Sequence, residues 1–200
     1  MAKENTTRYI LLGLLRHNPM SGYDLKKRID LSISQFWNVG YAQIYPTLGE
    51  LEREELVTKT TRDSAKGPAR NEYAITNSGE QALSAWLLEP VAHEYVKYEL
   101  LLKLFFGAGV PAENSIARIA AFRQQHETEL ALLRQFRAEL ATLLDTQPDH
   151  LYYYLTVLFG ERLYTAYQDW AEEALALLNA RKPGQPLVTN NTPPSAKEEP

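Results

Sequence analysis

The hydrophobic periodicity of the chain predicts a mainly α protein with one small β-hairpin, and three observations carry that expectation. Apolar residues recur at three- and four-residue spacing through most of residues 6–180. A single β-rich stretch, between about residues 57 and 75, alternates with period two around a turn-forming DSAKGP loop. Beyond residue 95 the pattern is helical throughout, in two stretches long enough to need something to pack against.

Composition narrows the field. The 200 residues are 44% hydrophobic and 23% charged, near globular averages, which suits one ordinary domain or two small ones. There is no cysteine, so disulfides, thiolate zinc sites, iron–sulfur clusters and a cysteine nucleophile are excluded. The opening MAKENTTRYILLGLL lacks the apolar core and cleavage site of a secretory leader. No run approaches 18 apolar residues, and LLLKLFF at 100–106 is broken by Lys103. A cytoplasmic protein with no membrane partner is expected. The net charge is −4, but residues 1–90 hold 11 Lys/Arg against 11 Asp/Glu, and the acidity lies in the second half. A neutral first half can still present one basic face.

The elements follow in order. From Thr6 to His17, Ile10, Leu11, Leu14 and Leu15 share a helical spacing that Asn18-Pro19 stops. Ser21 is a good N-cap for a second helix, with Asp24 at the positive end of its dipole and Leu25 and Ile29 on one face. After a connector with Phe36 and Trp37, a third helix begins near Tyr41 and buries Ile44, Leu48 and Leu51. Pro46 is tolerable there only around the first turn. Residues 57–62 and 70–75 form the hairpin, and Thr76 caps a fourth helix with Leu83, Trp86 and Leu87 on its apolar face. Helix, helix, helix, hairpin, helix is the order of a winged helix-turn-helix, with the hairpin as wing.

A further helix covers Tyr95–Phe106, and Gly107-Ala-Gly109 interrupts it. A long helix from Pro111 to about Asp145 has the seam Ile116, Ile119, Phe122, Leu130, Leu133, Phe136 or Leu140, and Leu143. His126 is in register with it and reads as a packed histidine bonded to a neighbour. A last helix runs from Pro148 to about Asn179 with Leu155, Leu158, Phe159, Leu163, Ala166, Trp170 and Leu177. Each would span roughly 45 Å, too long to pack on a small domain alone, so a second copy of the chain is the expected partner. The domains are therefore read as 1–90, the winged domain; 91–181, a helical dimerisation and effector domain; and 182–200, a disordered tail, where five of the 11 prolines lie from Pro183 onward.

The third helix offers Tyr41, Gln43, Tyr45 and Thr47 on the side away from Ile44. Glutamine can pair with adenine in the major groove, while tyrosine and threonine hydroxyls can hold phosphates. Lys26 of the second helix, with Lys27 and Arg28, and Arg62, Lys66 and Arg70 of the wing add positive charge where the two elements should face DNA. The wing tip Lys66-Gly67 suits the flanking backbone or minor groove. Double-stranded promoter DNA is the expected partner.

These residues also carry a resemblance. Ile10-Leu-Leu-Gly-Leu-Leu15, Ser21-Gly-Tyr-Asp-Leu25, Gln43-Ile-Tyr-Pro-Thr-Leu48 with Leu51-Glu52, and Tyr73-Ala-Ile-Thr76 with Gly79, Leu83 and Trp86 resemble the PadR family of bacterial transcriptional regulators. Five blocks in order span about residues 8–88, and the long helices with Gln35-Phe-Trp37 resemble the larger two-domain subgroup by pattern only. The resemblance implies a homodimeric repressor that binds an inverted repeat and is released by a small, phenolic or otherwise aromatic, effector. It maps Gln43, Tyr45 and Thr47 onto the family's recognition helix and Arg62–Arg70 onto its wing, and the motif at Ser21 and Tyr23 joins the DNA-facing set. One departure stands out: the family usually closes the third helix with glycine, whereas this chain has Glu54-Glu55-Leu56, which requires Glu55 to adopt a positive φ or the helix to end otherwise.

Tyr9, Phe36, Trp37, Tyr95 and Tyr98 are expected to line an aromatic crevice for a flat ligand, with Lys97 or Arg134 answering a carboxylate; the same aromatics also suit plain packing. The four histidines have no metal-ligand spacing, and no nucleophile elbow, P-loop or complete dinucleotide fingerprint occurs. No catalysis, metal or cofactor is expected. Two other readings remain: a ligand-independent, virulence-type activator, and a helical protein-interaction module.

Overall fold

The computed structural model describes residues 5–34, 36–64, 67–91 and 96–180, with the side chains of 62–69 outside that description. The expected tail, the wing-tip Lys66 and the aromatic Tyr95 lie outside the described residues. The chain divides into two compact units between residues 94 and 95.

The first unit opens with α1 (Thr7–Leu15), β1 (Met20–Ser21), α2 (Gly22–Ser32) and α3 (Tyr41–Arg53). It closes with β2 (Val57–Ser64), β3 (Gly67–Ile75) and α4 (Asn77–Leu87). Most of the stripe residues foreseen on the helices meet in one core of Leu11, Leu12, Leu15, Leu25, Ile29, Val39, Ile44, Leu48, Leu51, Val57, Tyr73 and Leu83, with Ile10, Leu14 and Trp86 partly buried against it. Leu87, expected on the apolar face of α4, is instead exposed, because it lies at the helix's last residue. Burying each such leucine or isoleucine contributes on the order of 2 kcal/mol, which is what orders helices too short to stand alone.

Ser21 caps α2 as its sequence position suggests: its hydroxyl accepts from the Asp24 amide at 3.2 Å and donates to the Asp24 carboxylate at 2.6 Å. The hairpin is joined by a third strand that no alternation foreshadows, because two residues are too few to show one. In the antiparallel order β1-β3-β2, Met20 pairs with Tyr73 and Ser21 with Glu72. The helix-turn-helix is thus stitched to the wing through the residue that caps α2.

Pro46 sits inside α3 at its sixth residue, well past the first turn where it was expected to be tolerated. The proline cannot donate to the carbonyl of Ala42, but both residues are exposed, so the orphan acceptor is open to solvent. The far end of α3 closes as the missing glycine required. Glu55 has φ 58°, its amide reaches the Glu52 carbonyl at 3.1 Å, and the Leu56 amide reaches Leu51 at 2.9 Å. This is a Schellman ending built on a residue with a Cβ.

The second unit holds α5 (Glu99–Phe105), a 3₁₀ turn (Gly107–Gly109), α6 (Ala112–Ala141) and α7 (Pro148–Ala180). The helix expected from Tyr95 is shorter and begins at Glu99, with Tyr98 as its N-cap. The two long helices form an antiparallel hairpin that buries Ile119, Leu130, Leu133 and Ala171. His126 donates from Nδ1 to the Phe122 carbonyl at 2.8 Å, the packed histidine foreseen from its register. Many apolar residues of this unit are left outside that seam, however: Leu132 and Phe136 on α6, Leu143 just beyond its end, and Leu151, Leu155 and Phe159 on α7 stay exposed, Phe159 to 69%. A two-helix hairpin has one internal seam, so among the described residues of this unit a second apolar face is left uncovered.

Candidate nucleic-acid interface

The α2–turn–α3 pair presents one aromatic and basic surface. Tyr23, Tyr41 and Tyr45 are 58%, 45% and 52% exposed. The rings of Tyr41 and Tyr45, one turn apart on α3, lie nearly parallel with centroids 6.3 Å apart. The ammonium of Lys26 stands 6.0 Å over the Tyr41 ring and is ion-paired with Asp30 on its own helix. Phenol hydroxyls of this kind, beside a cation and the N-terminal end of a helix, can donate to phosphate oxygens.

Other candidates fall elsewhere. Thr47 is 3% exposed and accepts from the Asn5 side chain at 3.2 Å. Ile44, Thr47, Leu48 and Leu51 stand at i, i+3, i+4 and i+7, so Thr47 belongs to the buried stripe and not to the face placed against DNA by the sequence reading. Ser21 is buried and occupied as the α2 cap. The carboxamide oxygen of Gln43 accepts from the Gly40 amide at 3.1 Å, half of a capping box whose other half Gly40 cannot supply. Its amide nitrogen still projects from an exposed position, but pairing both atoms with adenine would require releasing the cap. In the wing, Arg62 pairs with Arg70 across the β2–β3 ladder, and Arg70 is exposed. The Arg62 side chain and Lys66 lie outside the described residues, while the Gly67 backbone pairs with Ser64.

The aromatic candidates separate between the two units. In the first, Tyr9 is stacked on Trp86, with centroids 4.6 Å apart and planes 6° from parallel, and packs against the core, whereas Phe36 and Trp37 are exposed. In the second, the phenols of Tyr98 and Tyr167 meet at 2.7 Å, and Arg134 is exposed. Tyr167 belongs to a nest with Phe122, His126, Tyr164 and Trp170 that the sequence reading did not assemble. Burial there pushes the Tyr164 phenol up to about 12 and raises Tyr167 as well, with Glu129 and Tyr98 adding to the two effects. A separate cleft of about 270 Å³ between α5 and α6 is lined by Leu102, Lys103, Phe106, Val110 and Arg118, and by none of the aromatics named from sequence. Among the described residues no cluster of three metal-ligating side chains occurs, and no helix is long and apolar enough to cross a membrane.

Residues 11–85 match the family described as the transcriptional regulator PadR-like family, and residues 96–179 match the virulence activator alpha C-terminal family. The chain is 29% identical over 178 residues to the negative transcriptional regulator PadR of Bacillus subtilis, covering 86% of this chain and 97% of the relative. The crystal structure of that relative in complex with operator DNA superposes with a TM-score of 0.77 at 28% identity, over 86% of this chain and 97% of the other. Its complex with p-coumaric acid superposes at 0.70 and 28% identity, over 87% and 99%.

Proposed function

The chain belongs to the PadR-like family of transcriptional regulators, with the virulence-activator region as its C-terminal part, and from that premise we propose that it is a homodimeric repressor that binds an inverted-repeat operator. Each copy inserts the Tyr41–Glu50 segment of α3 into a major groove, and two half-sites of an inverted repeat are read together. The exposed, ordered phenol pair of Tyr41 and Tyr45 beside Lys26 is the observation that carries this reading. The relative solved on operator DNA supports it. The family and this relative are transcriptional regulators and not enzymes.

The uncovered apolar faces of α6 and α7 are the proposed dimer surface, with residues 1–90 as the reader and 91–181 as the dimerisation and effector domain. The proposed effector is a small aromatic acid, the chemistry of the ligand in the relative's p-coumaric acid complex. Phe36 and Trp37 in one unit, and Tyr98 and Arg134 in the other, are the residues to test for it. Such a ligand releases DNA only by binding one conformation of the dimer better than the other.

The test is a fluorescence-anisotropy titration of the purified chain with the duplex upstream of its own gene, with mass measured in solution. A dimer that binds this duplex with a steep salt slope and is released by p-coumaric acid is expected. Lys66→Ala should weaken all sequences alike and flatten the slope; an unchanged slope removes the wing from the interface. The match to the virulence-activator region favours a second reading, a ligand-independent activator. A promoter fusion in a strain lacking the gene separates them, since expression rises for a repressor and falls for an activator.

A further inference from the structure

Gly22 opens α2 in ordinary right-handed helical conformation, where alanine is the stronger helix former, so its backbone gives no reason for a glycine. Its surroundings do. A Cβ at Gly22 would stand 2.6 Å from Tyr45 Cε1, closer than real Cβ contacts come, and 3.0 Å from Cζ, tighter than most of them. The Tyr45 ring therefore lies directly on the backbone of α2, in the space that any other residue would fill. Tyr45 in turn stacks with Tyr41, Lys26 stands over Tyr41, and Asp30 holds Lys26. One chain of contacts thus runs from Gly22 to Asp30 and fixes two half-exposed phenols before any ligand arrives.

We propose that Gly22 is a positioning residue for DNA recognition: its missing side chain seats the Tyr45 ring, and through it Tyr41, in the orientation in which both meet the duplex. This rests on the reading that α3 faces DNA. Holding the rings in advance removes the ordering cost that exposed tyrosines would otherwise meet on binding. Gly22 touches no DNA itself and acts through Tyr45.

The experiment is a double-mutant cycle on the full-length chain, read as affinity for the upstream duplex and as melting temperature. Gly22→Ala should weaken binding by about tenfold or more while the melting temperature stays within about 2 °C. In a Tyr45→Ala background, Gly22→Ala should change affinity less than about twofold, because no ring is left to displace. Equal losses in both backgrounds, or no loss in the single variant, overturn the proposal. Should Gly22→Ala lower the melting temperature sharply, the double variant is expected to restore it, and failure to do so is equally fatal. A wild-type chain that binds no upstream duplex sinks the DNA reading instead, a result distinct from any of these.

Discussion

The hydroxyl of Thr76 donates to the carbonyl of Glu55 at 2.8 Å, joining the residue that leaves the wing to the residue that enters it. The same hydroxyl accepts from the Gly79 amide at 3.1 Å, and the Thr76 amide reaches the Leu56 carbonyl at 3.0 Å. One side chain therefore caps α4 and also closes the base of the hairpin, so the wing's direction and the end of α3 are set at a single point. Thr76→Ala should cost about 1–2 kcal/mol, whereas Thr76→Ser should keep most of the stability. Urea unfolding of the two variants checks this, and equal losses would mean the hydroxyl is idle.

Gly79 sits against that point. A Cβ there would overlap the carbonyl oxygen of Leu56 and press on Ile75 and Leu12. Backbone cannot swing aside as a flexible side chain can, so Gly79→Ala should destabilise the first unit by about 2–4 kcal/mol or prevent its folding. Thermal unfolding followed by circular dichroism reads the outcome, and a melting temperature near that of the wild type would show that α4 shifts freely on the hairpin.

Glu55 makes the opposite case. With φ 58° it occupies a left-handed conformation that costs a residue with a Cβ about 1–2 kcal/mol, partly offset because glycine loses more chain entropy on folding. Glu55→Gly should therefore stabilise the chain by roughly 0.5–1 kcal/mol without altering DNA affinity. A stability change of the other sign would show that the glutamate side chain contributes more than its backbone costs.

Gln43 divides its two expected roles. Removing its cap on Gly40 with Gln43→Ala should lower stability by about 0.5–1 kcal/mol, and losing its exposed amide should narrow the affinity gap between the operator and a variant with one base pair changed. If stability falls while that gap is unchanged, Gln43 is a helix cap alone.

The phenol cluster of the second unit sets an alkaline limit. Tyr164 titrates near 12 in the folded chain against an ordinary value of 10.0, because burial disfavours the phenolate and Glu129 adds to it. Between those values the folded chain keeps a proton that the unfolded chain has released, so stability is full below about pH 10 and declines as the pH rises through the window. Tyr164→Phe should flatten that decline, as seen by far-ultraviolet circular dichroism from pH 9 to 12. An unchanged profile would place the titrating group elsewhere.

Much of this could be read along the chain because it is local. The 3.6-residue stripes of α1 to α4, the cap at Ser21 and the hairpin between residues 57 and 75 each follow from the spacing of a few neighbouring residues. The strained Glu55 follows from the family resemblance, as the residue standing where a glycine is usual. What a face is buried against is not local. The Thr47 hydroxyl, buried on the α3 stripe, takes its hydrogen bond from Asn5, forty-two positions away. Tyr9 is taken up by Trp86, and Gln43 is turned inward to a cap when it would otherwise face outward. The strand β1 exists only because β3 offers it an edge. Gly22 gives the same lesson in reverse: nothing around it in the chain calls for a glycine, and its reason is a ring on the next helix. Periodicity states which side of a helix avoids water. Packing alone states which atoms take water's place, because distant segments must converge before that choice exists.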